Sequence, residues 1–203
     1  MFKYPLIVFE GVEGSGKTTQ IDHVSNFLKK KNIKFIKFRE PGGSKNSEKI
    51  RRLILNGKTN FNNLTDYYLY LASRSENYDQ ILKKNYHKKI ILIDRFIYST
   101  LAYQSYGMKI SNKIVEMNNK YILKKIKPDL IFLHTVSKKN LIRRISLRKN
   151  KNRYDKFKYN FYIKIQKGFL KILKNNKDCV IIDSNESIIE NKNKILDKIE
   201  KFI

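Results

Sequence analysis

Residues 11–18 read G-V-E-G-S-G-K-T and satisfy the phosphate-loop pattern G-x-x-x-x-G-K-[ST] at every fixed position. What flanks them decides how the pattern is used. Leu6-Ile7-Val8-Phe9 is a short apolar run of the kind that forms a buried strand. Beyond Thr18, Ile21, Val24, Phe27 and Leu28 recur at helical spacing. A strand feeding a glycine-rich loop that opens a helix aims successive backbone N–H groups at phosphate oxygens. Gly11, Gly14 and Gly16 allow that curl, and Val12, Glu13, Ser15 and Thr19 complete the cradle. Lys17 can reach the β- and γ-phosphates of a nucleotide, and the Thr18 hydroxyl can ligate Mg²⁺.

Composition narrows the setting. A chain of 203 residues, 41% hydrophobic, is long and apolar enough for one domain with its own core. No apolar run approaches the roughly 20 residues needed to span a bilayer. Met1-Phe2-Lys3 leads straight into the first strand without a secretory cleavage pattern. Cys179 is the sole cysteine, which excludes an intrachain disulfide; it opens the run Cys179-Val180-Ile181-Ile182 and reads as a buried strand residue. A cytoplasmic protein without a membrane partner is expected. The net charge of +26 would suit a nucleic-acid partner. The basic residues are spread along most of the chain, however, often beside Asn and Ile, as in Lys29-Lys30-Lys31-Asn32-Ile33. All three types are favoured by AT-rich coding. The charge is therefore read as compositional bias that attracts anionic substrates, with no specific nucleic-acid partner.

Apolar strand-like runs at 6–9, 33–38, 90–93, 130–133 and 180–182 alternate with helix-length segments. The latter cover 18–31, 66–84, 113–125, 138–148, 157–174 and 188–202. This alternation predicts an α/β fold: a five-stranded parallel sheet with helices on both faces, spanning 1–203 as one domain. Ligands in such folds lie beyond the carboxyl ends of the strands, where the phosphate loop already sits. The least regular stretch, 149–156, is polar, basic and placed between two helices, as suits a mobile lid over approximately 148–157.

Four further constellations carry chemistry. Phe38-Arg39-Glu40-Pro41-Gly42-Gly43 follows the second strand as a rigid turn presenting a carboxylate and an arginine, with Arg51 on the next helix. Ile91-Leu92-Ile93-Asp94-Arg95-Phe96 ends a strand in a carboxylate suited to the Mg²⁺ shell, directly or through water. Arg95 beside it can clamp a phosphate dianion. Tyr70 and Arg74 lie four apart on one helix face, where an aromatic plane and a guanidinium suit a nucleobase. Arg143, Arg144, Arg148 and Arg153 surround the lid. The first two read as an ordinary basic helix. Arg148 and Arg153 are expected to stabilise charge on a phosphoryl group in transfer.

These residues together resemble the thymidylate kinase family over nearly the whole length. The resemblance is carried by Phe9-Glu10-Gly11-Val12-Glu13-Gly14-Ser15-Gly16-Lys17-Thr18-Thr19 and Arg39-Glu40-Pro41-Gly42-Gly43. Asp94-Arg95-Phe96, Ser99, Ala102-Tyr103-Gln104 and Pro128-Asp129-Leu130 extend it. It implies a nucleoside-monophosphate-kinase-like three-layer fold, ATP as phosphoryl donor, Mg²⁺, dTMP as acceptor and a homodimer. It also implies roles. Glu13 faces the deoxyribose 3′-hydroxyl, Tyr70 stacks on thymine where the family usually has Phe, and Arg74 bonds a base carbonyl. Arg95, with Arg51 and Arg39, holds the dTMP phosphate. Ser99, Tyr103 and Gln104 line the nucleoside pocket, and Tyr103 crowds the ribose 2′-position. Gly14 in the loop with arginines in the lid is similar to the bacterial-type branch. The chain departs from the family pattern at Thr135, usually Asp, at Tyr154-Asp155 and at Phe157. Two rival readings predict different substrates: another nucleotide or nucleoside kinase on this scaffold, and a nucleic-acid-stimulated ATPase.

Overall fold

Residues 4–147 and 153–203 are described by a computed structural model of the chain. Five strands form one parallel sheet: β1 (Leu6–Gly11), β2 (Phe35–Arg39), β3 (Ile90–Asp94), β4 (Leu130–Thr135) and β5 (Cys179–Asp183). Their order is β2-β3-β1-β4-β5, so the strand that feeds the phosphate loop is central. The registers pair Phe9 with Asp94, Arg39 with Asp94, and Gly11 with His134. The carboxyl ends of β1, β2 and β3 therefore finish level, which brings the loop, Arg39 and Asp94 to one edge.

Helices cover both faces, so β1 is buried at every position. Ile7 and Phe9 point to α1 (Lys17–Lys30) and α9 (Ile188–Glu200), packing with Val24, Leu28, Ile195 and Ile199. Leu6 and Val8 point the other way, to Leu82, Phe96 and Leu123. That second face carries α3 (Asn63–Asn77), α4 (Lys83–Asn85), α5 (Ile97–Thr100) and α6 (Asn112–Leu123). A further cluster joins Ile131 and Leu133 of β4 to α7 (Lys138–Ser146) and α8 (Tyr159–Leu173) through Leu141, Ile145, Ile165 and Phe169. α2 (Lys45–Leu55) packs against α3. Residues 153–156 of the expected lid form a short 3₁₀ turn, and 148–152 lie outside the described residues.

The structure moves several expected boundaries. β2 starts at Phe35, not Ile33, because Ile33 N–H donates to Leu28 O at 2.9 Å and closes α1. The helix expected from residue 66 starts at Asn63, since the Asn62 side chain caps it by accepting from Thr65 N at 2.8 Å. It then widens into a π turn, Tyr78–Leu82, before α4. Residues 97–107, read only as a motif, are helical: α5 runs into a second π segment, Leu101–Gly107. Cys179 is only partly buried, because β5 is an edge strand.

Candidate active site

The phosphate loop is shaped by where β1 stops. Gly11 has φ 140°, and a Cβ there would come within 2.4 Å of His134 O, so no side chain fits between the two strands. α1 then starts with no side chain capping it, which suits a helix end that receives an anion. Lys17 is buried, and its ammonium donates to Gly11 O at 3.0 Å and Val12 O at 2.9 Å. Burial, with Arg95 nearby, lowers its pKa to about 8 against the pull of Asp94 and Glu13. Thr18 Oγ1 donates to Asp94 Oδ2 at 3.1 Å, joining the two residues expected to hold Mg²⁺.

Arg95 is the hub of the site. Its backbone is left-handed, with φ 68°, which turns the side chain back toward the loop. Nη1 donates to Gly11 O at 2.8 Å and Nη2 to Glu13 Oε1 at 2.9 Å. Tyr103 Oη donates to the other oxygen of Glu13. Burial favours a neutral Glu13, but Arg95, Lys17 and the Tyr103 hydroxyl outweigh it and lower its pKa. Burial likewise opposes the charge on Arg95, and Glu13 reverses that, raising its pKa. Below them Glu10, fully buried on β1, accepts from Phe96 N at 2.9 Å, Ser99 N at 3.1 Å and Ser99 Oγ at 2.5 Å. It caps α5 and fixes Ser99; burial raises its pKa.

The acceptor-side residues come from β2, α2 and α3. Arg39 is exposed and pairs with Glu48 at 3.3 Å, while Arg51 Nη1 donates to Pro41 O at 2.7 Å. The Glu40–Pro41 bond is cis. Burial, then Arg39, lowers the Arg51 pKa. Arg74 is almost wholly buried; Nε donates to Glu40 Oε2 at 2.8 Å and Nη1 to Asn119 Oδ1 at 2.6 Å. Tyr70 and Arg74 do share a face, as their spacing predicts. With Glu13, Arg39, Arg51, Arg95, Ser99, Tyr103 and Gln104 they line one open cavity of about 790 Å³ that ends at Gly14–Thr19 and Asp94.

A second cavity of about 350 Å³ lies across the loop, beneath the ends of β4 and β5. It shares Gly14, Ser15, Gly16 and Thr19 with the first and adds Gln20, His134, Arg143, Arg144 and Asn191. Here the reading of Arg144 as part of an ordinary basic helix is corrected. Arg144 donates to Gly14 O at 3.1 Å and Ser184 O at 2.7 Å, tying α7 to the loop. Among the described residues, five buried side-chain polar atoms lack a partner. Asp94 Oδ1 and Gln104 Nε2 belong to the first cavity; Gln20 Oε1, His134 Nε2 and Asn191 Oδ1 belong to the second. Buried polar groups in folded proteins are otherwise paired, and all five of these atoms belong to residues that line one of the two cavities.

Of the lid arginines, Arg153 donates to Asp66 and, at 3.3 Å, to Tyr154 Oη, off the rim of the first cavity. Arg148 lies outside the described residues. Among the described residues no cluster of three or more His, Cys, Asp or Glu could cage a metal. A hydroxyl and one carboxylate with a spare buried oxygen do match Mg²⁺, which takes few protein ligands beside nucleotide phosphates.

A phosphate loop at the centre of a parallel five-stranded sheet, with a nucleotide-sized cavity on either side, defines a P-loop nucleotide kinase. The thymidylate kinase family model matches residues 9–195. Thymidylate kinase of Mycoplasma capricolum is 39% identical over 187 residues, covering 90% of this chain and 88% of that protein. That of Acholeplasma laidlawii is 38% identical over 201 residues, covering 96% and 98%. The crystal structure of thymidylate kinase from Ehrlichia chaffeensis superposes with a TM-score of 0.78 at 28% identity, covering 97% of this chain and 98% of that one. The chain belongs to the thymidylate kinase family, and it is a phosphotransferase with ATP as donor.

Proposed function

We propose that the chain transfers the γ-phosphoryl group of ATP to dTMP, giving dTDP and ADP. The observation that carries this reading is the first cavity. Guanidinium groups, aromatic rings and an unpartnered amide nitrogen line one space beside the phosphate loop, and this supports a pocket for a nucleotide's phosphate and base. In this reading residues 11–19 cradle the donor phosphates as the chain crosses from one cavity to the other. Lys17 leaves the carbonyls of Gly11 and Val12 for the transferring group. Arg95, Arg51 and Arg39 hold the acceptor phosphate, and Glu13 takes the 3′-hydroxyl. Tyr70 stacks on the base while Arg74 and Gln104 present donors to its carbonyl oxygens. Ser99 and Tyr103 line the sugar side. Mg²⁺, held by Thr18 and Asp94, would neutralise phosphate charge. Transfer is in line and needs no enzyme nucleophile; positioning and charge stabilisation suffice. Arg153 and Arg148 are the proposed lid cations of this one-domain kinase.

Two wider proposals accompany it. A homodimer is supported by an apolar stripe on α6, with Ile114, Met117 and Tyr121 exposed, beside exposed Leu64 and Tyr68 of α3. A cytoplasmic location fits the lone thiol, and no helix among the described residues is long and apolar enough to cross a membrane. The test of function is ADP release from ATP with dTMP, dUMP, dCMP, dGMP or single-stranded DNA supplied separately, with products identified by chromatography. Turnover of dTMP with dTDP formed is the expected result. Hydrolysis stimulated by DNA without any phosphorylated mononucleotide would overturn the reading.

A further inference from the structure

We propose that Tyr154 is a specificity-determining residue for the acceptor: its ring is a wall of the base pocket, held in place by Asp66. The proposal rests on the reading of the larger cavity as the acceptor site. Tyr154 follows Arg153 in the short turn before α8, at a position read above only as a departure from the family pattern. It is nonetheless almost fully buried and lines that cavity. Its ring meets Tyr70 edge-on, with centroids 6.4 Å apart at 74°, and Tyr103 likewise, 6.3 Å apart at 80°. Three tyrosines from three separate elements thus make one corner. A base stacked on Tyr70 has the edge or face of Tyr154 as its neighbour.

The hydroxyl fixes the ring. Tyr154 Oη donates to Asp66 Oδ2 at 2.8 Å, and Asp66 is itself buried one turn before Tyr70 on α3. The Tyr70 and Tyr154 hydroxyls are also hydrogen-bonded to each other. Arg153 completes the set on Asp66 Oδ1. The Tyr162 hydroxyl donates to Tyr154 O and anchors the backbone. A ring tied at its hydroxyl and its backbone, and packed against Tyr70, Tyr103 and Phe157, yields little to a larger ligand. A pyrimidine leaves that corner undisturbed, whereas the second ring of a purine requires space that Tyr154 fills.

Tyr154→Ala and Tyr154→Trp test this in opposite directions, read as the ratio of kcat/KM for dTMP to that for dGMP. The expected result for Tyr154→Ala is a fall in the ratio of about ten-fold or more, the scale on which pocket shape discriminates between substrates, with KM for ATP unchanged. Tyr154→Trp is expected to weaken dTMP without improving dGMP. Calorimetric Kd values for the two nucleotides give the same comparison without turnover. A wild type inactive on dTMP counts against the proposed reaction, while those affinities still decide the pocket. A ratio unchanged in the variant that folds, by activity and by affinity, overturns the assignment.

Discussion

Arg95 and Glu13 meet at 2.9 Å across the mouth of the phosphate loop, and each controls the charge of the other. The pair is partly buried, so the attraction is poorly screened, and Arg95 also holds Gly11 O. An arginine gripped from one side by the loop presents its remaining edge to the cavity. Arg95→Ala removes charge-assisted contacts worth about 1.5–3 kcal/mol each, so kcat/KM for dTMP is expected to fall roughly 10²–10⁴-fold. Arg95→Lys restores the charge but not the planar fork, and little activity should return. Steady-state kinetics with both variants decides the role.

Glu10 supports that arrangement from beneath. It is the acceptor for three donors at the start of α5, and it sits one strand position before the glycine that Arg95 grips. Glu10→Ala leaves those donors buried without a partner, at about 1–3 kcal/mol each where water cannot enter. A urea midpoint clearly below wild type is expected, together with faster amide exchange at Phe96 and Ser99. Protection equal to wild type at both amides would show that α5 is capped by something else.

Much of this was legible in the chain because it is local. The phosphate loop, the five strands and Asp94-Arg95 are each set by a few consecutive residues whose patterns survive folding. Strand order was not legible, since nothing in β1 itself records that β3 and β4 flank it. The helix at 97–107 was hidden because its π turn breaks the 3.6-residue period on which helix reading depends. Asn119 and Asp66 were missed for another reason. Each becomes part of the site only by pairing with a residue 45 or 87 positions away. Arg144 resembled any surface arginine until β5 and the loop closed around it.

Asp94 and Thr18 make a prediction about the metal. Asp94 Oδ1 is buried without a partner, while Oδ2 accepts from Thr18. Replacing the carboxylate by an amide keeps the shape and loses the charge. Asp94→Asn is expected to raise the Mg²⁺ concentration for half-maximal activity about ten-fold or more, with the thermal midpoint little changed. A titration of activity against Mg²⁺ at saturating nucleotides distinguishes this from a general loss of fold.

His134 sets a limit at acid pH. Burial, and the positive charge of Lys17, lower its pKa to about 3, so the folded chain keeps the imidazole neutral down to that pH. The unfolded chain takes up the proton near pH 6.5. Between those values the unfolded state binds more protons, so stability is full above pH 6.5 and declines as pH falls toward 3. A His134→Leu variant lacks this titration and should lose less of its thermal midpoint between pH 7 and pH 5 than wild type. Parallel pH profiles for the two proteins would assign the acid sensitivity elsewhere.

The apolar stripe leads to a prediction about assembly. Ile114, Met117 and Tyr121 fall at helical spacing on α6, and Tyr121 is 83% exposed. α3 lies alongside, joined where Asn118 Nδ2 donates to Tyr67 Oη at 2.9 Å, and adds Leu64 and Tyr68. The proposed homodimer buries these exposed side chains against the same patch of a second copy, as a two-fold interface does. A charge at the centre of that face should be poorly tolerated in the dimer and harmless in the monomer. Met117→Glu is expected to shift sedimentation from dimer to monomer while the far-ultraviolet spectrum stays that of wild type. Its effect should shrink as protein concentration rises, since association follows mass action. A wild type that sediments as a monomer at every concentration removes the dimer from the account and leaves the cavity chemistry, which lies wholly within one chain, as it stands.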